Sequence, residues 1–174
     1  MTSAPVTTGL RLPPLVSADR AREIVRRRAP ALRQGEIGLR FHPFAGFVHH
    51  VRNPMFGATR GTRAYTLVDR STGKVFVTDP WPPLERAAED DTCLVAPEHP
   101  GLALSMEQAR ALAARTVSVA ALQKFRLART SVITVTDEHE LIWKPNLLLT
   151  CHGRGGEILI LVDGLNGNYC VLGE

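Results

Sequence analysis

Cysteine is scarce in this 174-residue chain, and the few cysteines follow no disulfide or metal-binding spacing. Cys93, Cys151 and Cys170 are an odd number and include no CxxC pair, so a disulfide framework is not expected. No stretch approaches the ~18 apolar residues of a membrane span. Residues 1–15 lack the basic and apolar regions of a secretory signal. We therefore predict free thiols, a cytoplasmic location and no membrane partner.

The rest of the composition is that of an ordinary globular protein, with 44% apolar and 22% charged residues. The charge is unevenly divided along the chain. Residues 1–80 hold 13 Lys and Arg against 5 Asp and Glu, whereas residues 81–174 hold 8 against 12. Two regions of opposite net charge are expected to attract each other within one molecule. A basic face for phosphate or nucleic acid is the alternative interpretation.

Local composition divides the chain into four segments. The predicted boundaries are an extended lead-in at 1–16, a first α+β repeat at 17–79, a proline-rich acidic connector at 80–103, and a second repeat at 104–174. Ser17 as an N-cap and Pro30 as a stop predict a helix between them. Ser105 and Gln108 form a capping box that predicts the start of a second helix. Short strands are predicted after each helix, with Pro43 separating two strands of the first repeat.

Three ordered matches support an internal duplication. They pair Val16–Arg22 with Leu104–Arg110, Leu39–Pro43 with Leu141–Pro145, and Leu67–Gly73 with Leu161–Gly167. Each half thus reads as a helix, a strand ending in aromatic-X-Pro, and a hairpin. The fold predicted from this order is α+β, with two repeats of a helix packed on an antiparallel β-sheet, related by a pseudo-two-fold axis.

The hairpin that closes each repeat contains Asp before the turn and Gly after it, at Asp69–Gly73 and Asp163–Gly167. The Asp side chain can accept hydrogen bonds from turn N–H groups, and Gly can adopt the positive φ of a bulged turn. A cation site built on the same Asp is the alternative. Too few ligands converge for that, so we predict a structural turn and neither a metal nor a cofactor.

This pattern resembles the PepSY domain family and its cystatin-like relatives. The resemblance depends on Ser17–Val25 with Leu67–Val77, and more faintly on Ser105–Ala113 with Leu161–Val171. It implies a helix-on-sheet fold and a non-catalytic role, because several such domains are thought to inhibit or regulate partners. The chain departs from the family in lacking a signal and in having a long acidic connector. The family supplies no catalytic residues to transfer.

Two histidine-containing pairs are the candidates for catalysis. His49 and His50 are neighbours on a predicted strand, so their side chains should point to opposite faces and cannot easily share one metal. Cys151 and His152 are likewise adjacent, which prevents a Cys–His dyad between them. Cys151 could instead meet His49 or His50 if the two repeats packed sheet to sheet. The alternative is a structural role for all four residues.

Other residues are candidates for binding. Arg26 and Arg27 belong to an arginine-rich helix face, which is either solvated, paired with acids of the connector, or able to bind phosphates. Arg154 lies in a glycine-rich stretch that predicts a hairpin loop, with an anion site as the alternative. Trp81 is an apolar anchor that either holds the connector to the body or contacts a partner.

We predict a binding or accessory protein that recognises a protein partner or small-molecule ligand at the repeat junction. One alternative is a small enzyme of cyclase, isomerase or hydrolase type, with a pocket between sheet and helix. Another is a structural subunit of a larger assembly that uses its sheet edges. Nucleic acid is not an expected partner, because no helix-turn-helix or base-stacking set accompanies the arginines. Homo-oligomers are compatible with the sequence, and whether the protein is an enzyme is left open.

Overall fold

The computed structural model describes residues 9–52, 61–88, 92–95, 104–124 and 131–172. About half of these residues are in strands and about a fifth in helices. The elements in chain order are β1 (Leu10–Arg11), α1 (Ala18–Arg28), β2 (Arg33–Arg52), β3 (Gly61–Val68), β4 (Val75–Thr78), β5 (Glu85–Arg86), α2 (Met106–Lys124), β6 (Val132–Gly153), β7 (Gly156–Asp163) and β8 (Tyr169–Leu172).

The fold is dominated by one eight-stranded sheet, so the predicted α+β arrangement of two helix-on-sheet repeats is wrong. The strand order is β4-β3-β2-β6-β1-β5, with β7 paired to β6 and β8 paired to β7. The hairpin pairs β2–β3, β3–β4, β6–β7 and β7–β8 are antiparallel. Among the described residues, no helix combines the length and apolarity needed to cross a membrane.

The prediction failed because strands that read as separate are continuous through a proline. β2 runs through Pro43, and β6 runs through Pro145. Proline lacks an N–H, so it fits a strand only where no ladder bond is required. Pro145 lies between Trp143, whose carbonyl accepts from Leu12 N at 2.9 Å, and the first residue paired to β7. Pro43 lies between the bridge from Phe41 to Leu94 and the start of pairing with β3.

The chain forms two compact units, and neither is continuous in sequence. The first, called unit 1, takes in 1–42, 83–96 and 143–174; the second, called unit 2, takes in 43–82 and 97–142. The long strands β2 and β6 each contribute one part to unit 1 and the other part to unit 2. Each unit therefore combines segments that are distant along the chain.

Unit 1 buries the apolar face of α1. Ser17 caps this helix by accepting a hydrogen bond from Arg20 N at 3.2 Å, as predicted. Ala21 and Val25 are fully buried in a cluster with residues of β6 and β7, namely Leu147, Leu149, Cys151, Ile160 and Val162. Burial of each larger side chain in this cluster, such as a leucine or a valine, contributes about 1.5–3 kcal/mol to the stability of the fold.

Unit 2 is built in the same way around α2. The predicted capping box is present, because Gln108 N donates to Ser105 Oγ at 3.1 Å and Ser105 N donates to Gln108 Oε1 at 2.9 Å. Small residues on the buried face of this helix allow it to approach the sheet closely. The core cluster consists of Ala45, Phe47, Val68, Ala109 and Ala113.

Both hairpin turns have the predicted geometry. Gly73 and Gly167 take φ values of 73° and 75°, which other residues rarely adopt. Asp69 accepts from Ser71 N at 2.9 Å and from Thr72 Oγ1 at 2.6 Å. Burial acts to raise the pKa of Asp69, but these hydrogen bonds outweigh it and lower the pKa overall. Asp69 is therefore a turn cap.

Candidate functional site

Strand β8 is the most exposed apolar element of unit 1. Tyr169, Val171 and Leu172 are 38%, 57% and 40% exposed, and Cys170 between them is also exposed. No charged residue occurs from 164 to 172. Among the described residues, β8 pairs only with β7, so its other edge has no strand partner there. Natural sheet edges are usually protected by charges, prolines or bulges, and β8 has no charge and no proline.

The hydrogen-bond register shows which backbone groups of β8 point outward. Asp163 N donates to Asn168 O at 2.7 Å, so these two residues form a hydrogen-bonded pair next to the turn. Bonded and non-bonded pairs alternate in an antiparallel ladder. Val162–Tyr169 and Ile160–Val171 are therefore the non-bonded pairs. The N–H and C=O groups of Tyr169 and Val171 point away from β7.

A buried polar network supports the turn that leads into β8. Lys144 Nζ lies 2.9 Å from Asp163 Oδ2 and 2.7 Å from Asn146 Oδ1. Asn146 Nδ2 lies 2.8 Å from His42 Nδ1. The second carboxylate oxygen of Asp163 accepts from Leu165 N at 2.8 Å. The network thus joins β2, β6 and the β7–β8 turn, and it holds the turn in a fixed position.

The charges of this network are well compensated. Lys144 is only 4% exposed, and burial lowers its pKa, while the Asp163 carboxylate acts in the opposite direction. Asn146 uses its oxygen for Lys144, so its amide group donates to His42. That bond requires an unprotonated Nδ1 on His42 and places the proton on Nε2. Since these groups satisfy one another, the network is suited to support rather than to nucleophilic chemistry.

The edge strand of unit 2, β4, provides a comparison. Its valine Val77 is 48% exposed, which is similar to Val171. By the same alternation, the backbone of Val77 points away from β3, because Asp69 N donates to Lys74 O at 2.9 Å next to that turn. β4 is flanked by charge and by proline, at Lys74, Asp79 and Pro80. It therefore carries the edge protection that β8 lacks.

The surroundings of His49 indicate a structural role for this residue. It is fully buried in unit 2, and its Nε2 lies 3.2 Å from Thr66 Oγ1. Thr66 in turn donates to the Phe47 carbonyl at 3.4 Å, so His49 must donate to Thr66. His49 Nδ1 then carries no proton, and it is a buried acceptor without a hydrogen-bond partner. Burial lowers the pKa of His49, which favours the neutral ring. The neighbouring His50 is half-buried and close to Gly61.

Cys151 and His152 lie in unit 1, whereas His49 and His50 lie in unit 2. Cys151 is buried in the cluster beneath α1, and burial raises the pKa of its thiol, against a smaller lowering by Arg22. A buried thiol with a raised pKa is a poor nucleophile. His152 is half-buried near Gly35. The four candidates are thus divided between unit 1 and unit 2.

Trp81 covers a glycine in unit 2. A Cβ on Gly46 would lie 2.8 Å from the Trp81 ring, so the ring packs directly over that backbone. The Trp81 ring also contacts Tyr65 edge to face, with centroids 5.4 Å apart, and its Nε1 donates to Thr78 at 2.9 Å. These contacts favour the interpretation of Trp81 as an internal anchor.

The arginine candidates are exposed. Arg27 forms an ion pair with Glu23 on the same helix, and Arg26 lowers the pKa of Glu23 further, after the larger effect of Arg27. Arg154 is exposed in the β6–β7 turn. Of the connector acids, Glu85 pairs with Arg11 at 3.1 Å. Glu89, Asp90, Asp91 and Glu98 lie outside the described residues.

Sequence reasoning missed the polar network and the properties of β8. Lys144 is the only charged residue between Leu141 and Thr150, and a lone charge inside an apolar strand is a detectable signal of a buried pair. Its ionic partner Asp163 could not be found from sequence, because it is distant along the chain, and the same holds for His42, which bonds Asn146. No group of three or more His, Cys, Asp or Glu within the described part of the chain could hold a metal ion.

Comparisons with known proteins add no relative: no family model, curated protein or solved structure matches the chain. The resemblance to PepSY and cystatin-like domains therefore stays a prediction.

Proposed function

We propose that the protein is a non-catalytic binding protein that recruits an extended segment of a protein partner, which adds as a strand to β8. The observation that carries this proposal is the four-residue strand β8, exposed and uncharged, with outward backbone groups at Tyr169 and Val171. Such a row of donors and acceptors selects an extended backbone, and side-chain pockets then add specificity.

The chemistry of β8 also defines the partner segment. Tyr169 and Val171 share one face of the sheet, and Cys170 and Leu172 share the other. Because neither face offers a charge, the partner strand should be apolar or aromatic on both faces and uncharged over about four residues. The network of Lys144 and Asp163 fixes the turn before β8, which reduces the entropy lost when a partner strand is bound.

The cellular location that fits this proposal is the cytoplasm. Cys151 and Cys170 form no disulfide, and Cys170 is exposed on the proposed docking strand. An exposed thiol at a binding edge is best maintained in a reducing compartment.

The test exploits the two edge strands as a matched pair. A phage-displayed library of random heptapeptides is selected on the purified protein, and binding of the enriched peptides is measured for wild type, Val171→Pro and Val77→Pro. Proline at 171 removes an outward N–H without breaking a bond to β7. One lost backbone hydrogen bond is worth about 0.5–1.5 kcal/mol. With the added steric effect, we expect a roughly 10-fold loss of affinity in Val171→Pro.

The control variant Val77→Pro should keep the wild-type affinity within about twofold, because β4 is not the docking edge. Circular dichroism verifies that both variants are folded. Equal losses in the two variants, no loss in Val171→Pro, or selected peptides rich in charge would contradict the proposal. Amide hydrogen exchange gives a second readout, since peptide binding should protect the N–H groups of Tyr169 and Val171.

A further inference from the structure

Each compact unit of this protein is completed by a helix from a distant part of the chain. In unit 1, Ala21 and Val25 of α1 pack against Leu149 of β6 and Ile160 of β7. In unit 2, Ala109 and Ala113 of α2 pack against Phe47 of β2 and Val68 of β3. The two cores therefore both require residues from before and after the segment 96–103.

This arrangement defines two mutually dependent halves. The N-terminal half, residues 9–95, supplies α1 to unit 1, and β3 and β4 to unit 2. The C-terminal half, residues 104–172, supplies β7 and β8 to unit 1, and α2 to unit 2. Neither half contains a complete core. A half on its own would expose the sheet surface that the other half's helix covers.

Polar contacts also join the halves. Within unit 1, Lys144 and Asn146 of the C-terminal half reach His42 of the N-terminal half through the Asn146–His42 hydrogen bond of 2.8 Å. Within unit 2, Leu104 N donates to Arg70 O, and Thr136 Oγ1 donates to Val48 O at 3.2 Å. All of these contacts are non-covalent, and residues 96–103 are the only stretch of chain that links one half to the other.

We infer that two copies of this chain can form a dimer by exchanging their N-terminal and C-terminal halves. In such a dimer the N-terminal half of one copy completes its two cores with the C-terminal half of the other copy. The exchanged dimer contains the same contacts as the monomer, so only the linking segment and the protein concentration decide between them. This inference is independent of the proposed role of β8, because exchange uses the core contacts of α1 and α2 and not the outer edge of β8.

The experiment uses the full chain with a site-specific protease sequence inserted between Glu98 and His99. Two tagged versions are prepared, one with a His-tag and one with a Strep-tag, and they are unfolded and mixed. The mixture is refolded at about 300 μM and at about 3 μM protein. Both concentrations are below the effective concentration that a short linker gives to two halves of one chain. Dimers that carry both tags are isolated by tandem affinity purification. We expect them in the concentrated sample, with at least a fivefold lower fraction in the dilute one.

Cleavage of the inserted sequence then distinguishes exchange from surface association. In an exchanged dimer the two linking segments hold the bodies together, so cleavage should convert the dimer into particles of monomer size. Each particle should contain both fragments and keep the wild-type circular dichroism. Cleavage of the ordinary monomer should leave its elution volume unchanged. Val171→Pro should not alter the fraction of dimer, which separates this result from pairing through β8.

The inference is overturned by a dimer that survives cleavage, by the absence of dimer at both concentrations, or by a cleaved monomer that separates into fragments. A second insertion between Pro100 and Gly101 replaces the first where the first does not fold.

Discussion

Removal of the Lys144 side-chain charge should destabilise the protein more than any other single lysine substitution. Lys144→Met preserves most of the apolar stem but leaves Asp163 with Leu165 N as its remaining hydrogen-bond donor. It also removes the donor to Asn146 Oδ1. The Asp163 side chain is 16% exposed, so water compensates the lost partner only in part.

The size of the effect follows from the cost of an unpaired buried charge. Breaking a buried ion pair by removing one partner costs about 3–5 kcal/mol. We expect about 3 kcal/mol for Lys144→Met, at the low end because Leu165 N still stabilises the carboxylate. In the double variant with Asp163→Asn, no charge is left buried. The loss should then be about 2 kcal/mol smaller than the sum of the single losses.

Urea unfolding followed by circular dichroism and tryptophan fluorescence measures these free energies. The exposed Lys74 is the control, since Lys74→Met should change stability by less than about 0.5 kcal/mol. A loss below about 1 kcal/mol for Lys144→Met, or strictly additive losses in the double variant, would show that the pair is not energetically coupled.

The pH dependence of stability offers a separate check of the same residue. Burial lowers the pKa of Lys144 in the folded state below that in the unfolded chain. Unfolding in the range between these two values takes up a proton, so stability should rise with pH through that range, up to about pH 10.4. Lys144→Met lacks this contribution. A wild-type curve that falls relative to the variant as the pH rises toward about 10.4 would contradict the assigned direction.

Two further substitutions test unit 2. Gly46→Ala should lower stability by about 1–3 kcal/mol, because its Cβ would lie 2.3 Å from Ile142 Cδ1 and 2.8 Å from the Trp81 ring. Gly155→Ala is the control and should be nearly neutral, because no atom lies within 4 Å of the added Cβ; urea unfolding measures both variants. The wild-type protein should lose stability between about pH 7 and pH 5, by at most about 1.4 kcal/mol per pH unit. In His49→Leu this loss should be smaller. In the control His50→Leu it should be the same as in the wild type. That loss arises because burial lowers the pKa of His49, so protons bind preferentially to the unfolded chain below about pH 6.5.

Local features of this fold were predictable from sequence because they depend on neighbouring residues. Ser17 and Ser105 mark the helix starts, since each cap acts within three residues. Gly73 and Gly167 mark the bulged turns for the same reason. The strand architecture was not predictable in this way. Pro43 and Pro145 signal breaks when read locally, and only the change of strand partner at these positions shows why β2 and β6 continue.

The candidate site was predictable to a smaller extent. The closing hairpin was found, but Asp163 was assigned only a capping role, whereas it also pairs with Lys144. His49 and Cys151 drew attention as reactive residue types, and burial makes them structural. Exposure of β8 depends on which strands lie beside it, and that information is contained in the tertiary fold.

The shared construction of the two cores has a consequence for synthesis on the ribosome. The apolar face of α1 is made within the first 28 residues, but its partners in β7 extend to Val162. At about 5–20 residues per second, on the order of ten seconds pass before that face can be covered. Unit 2 has its core residues sooner, since its cluster extends to Val135 and the unit ends at Ile142. Unit 2 should therefore form first during translation, and α1 should dock last, when the final hairpin emerges.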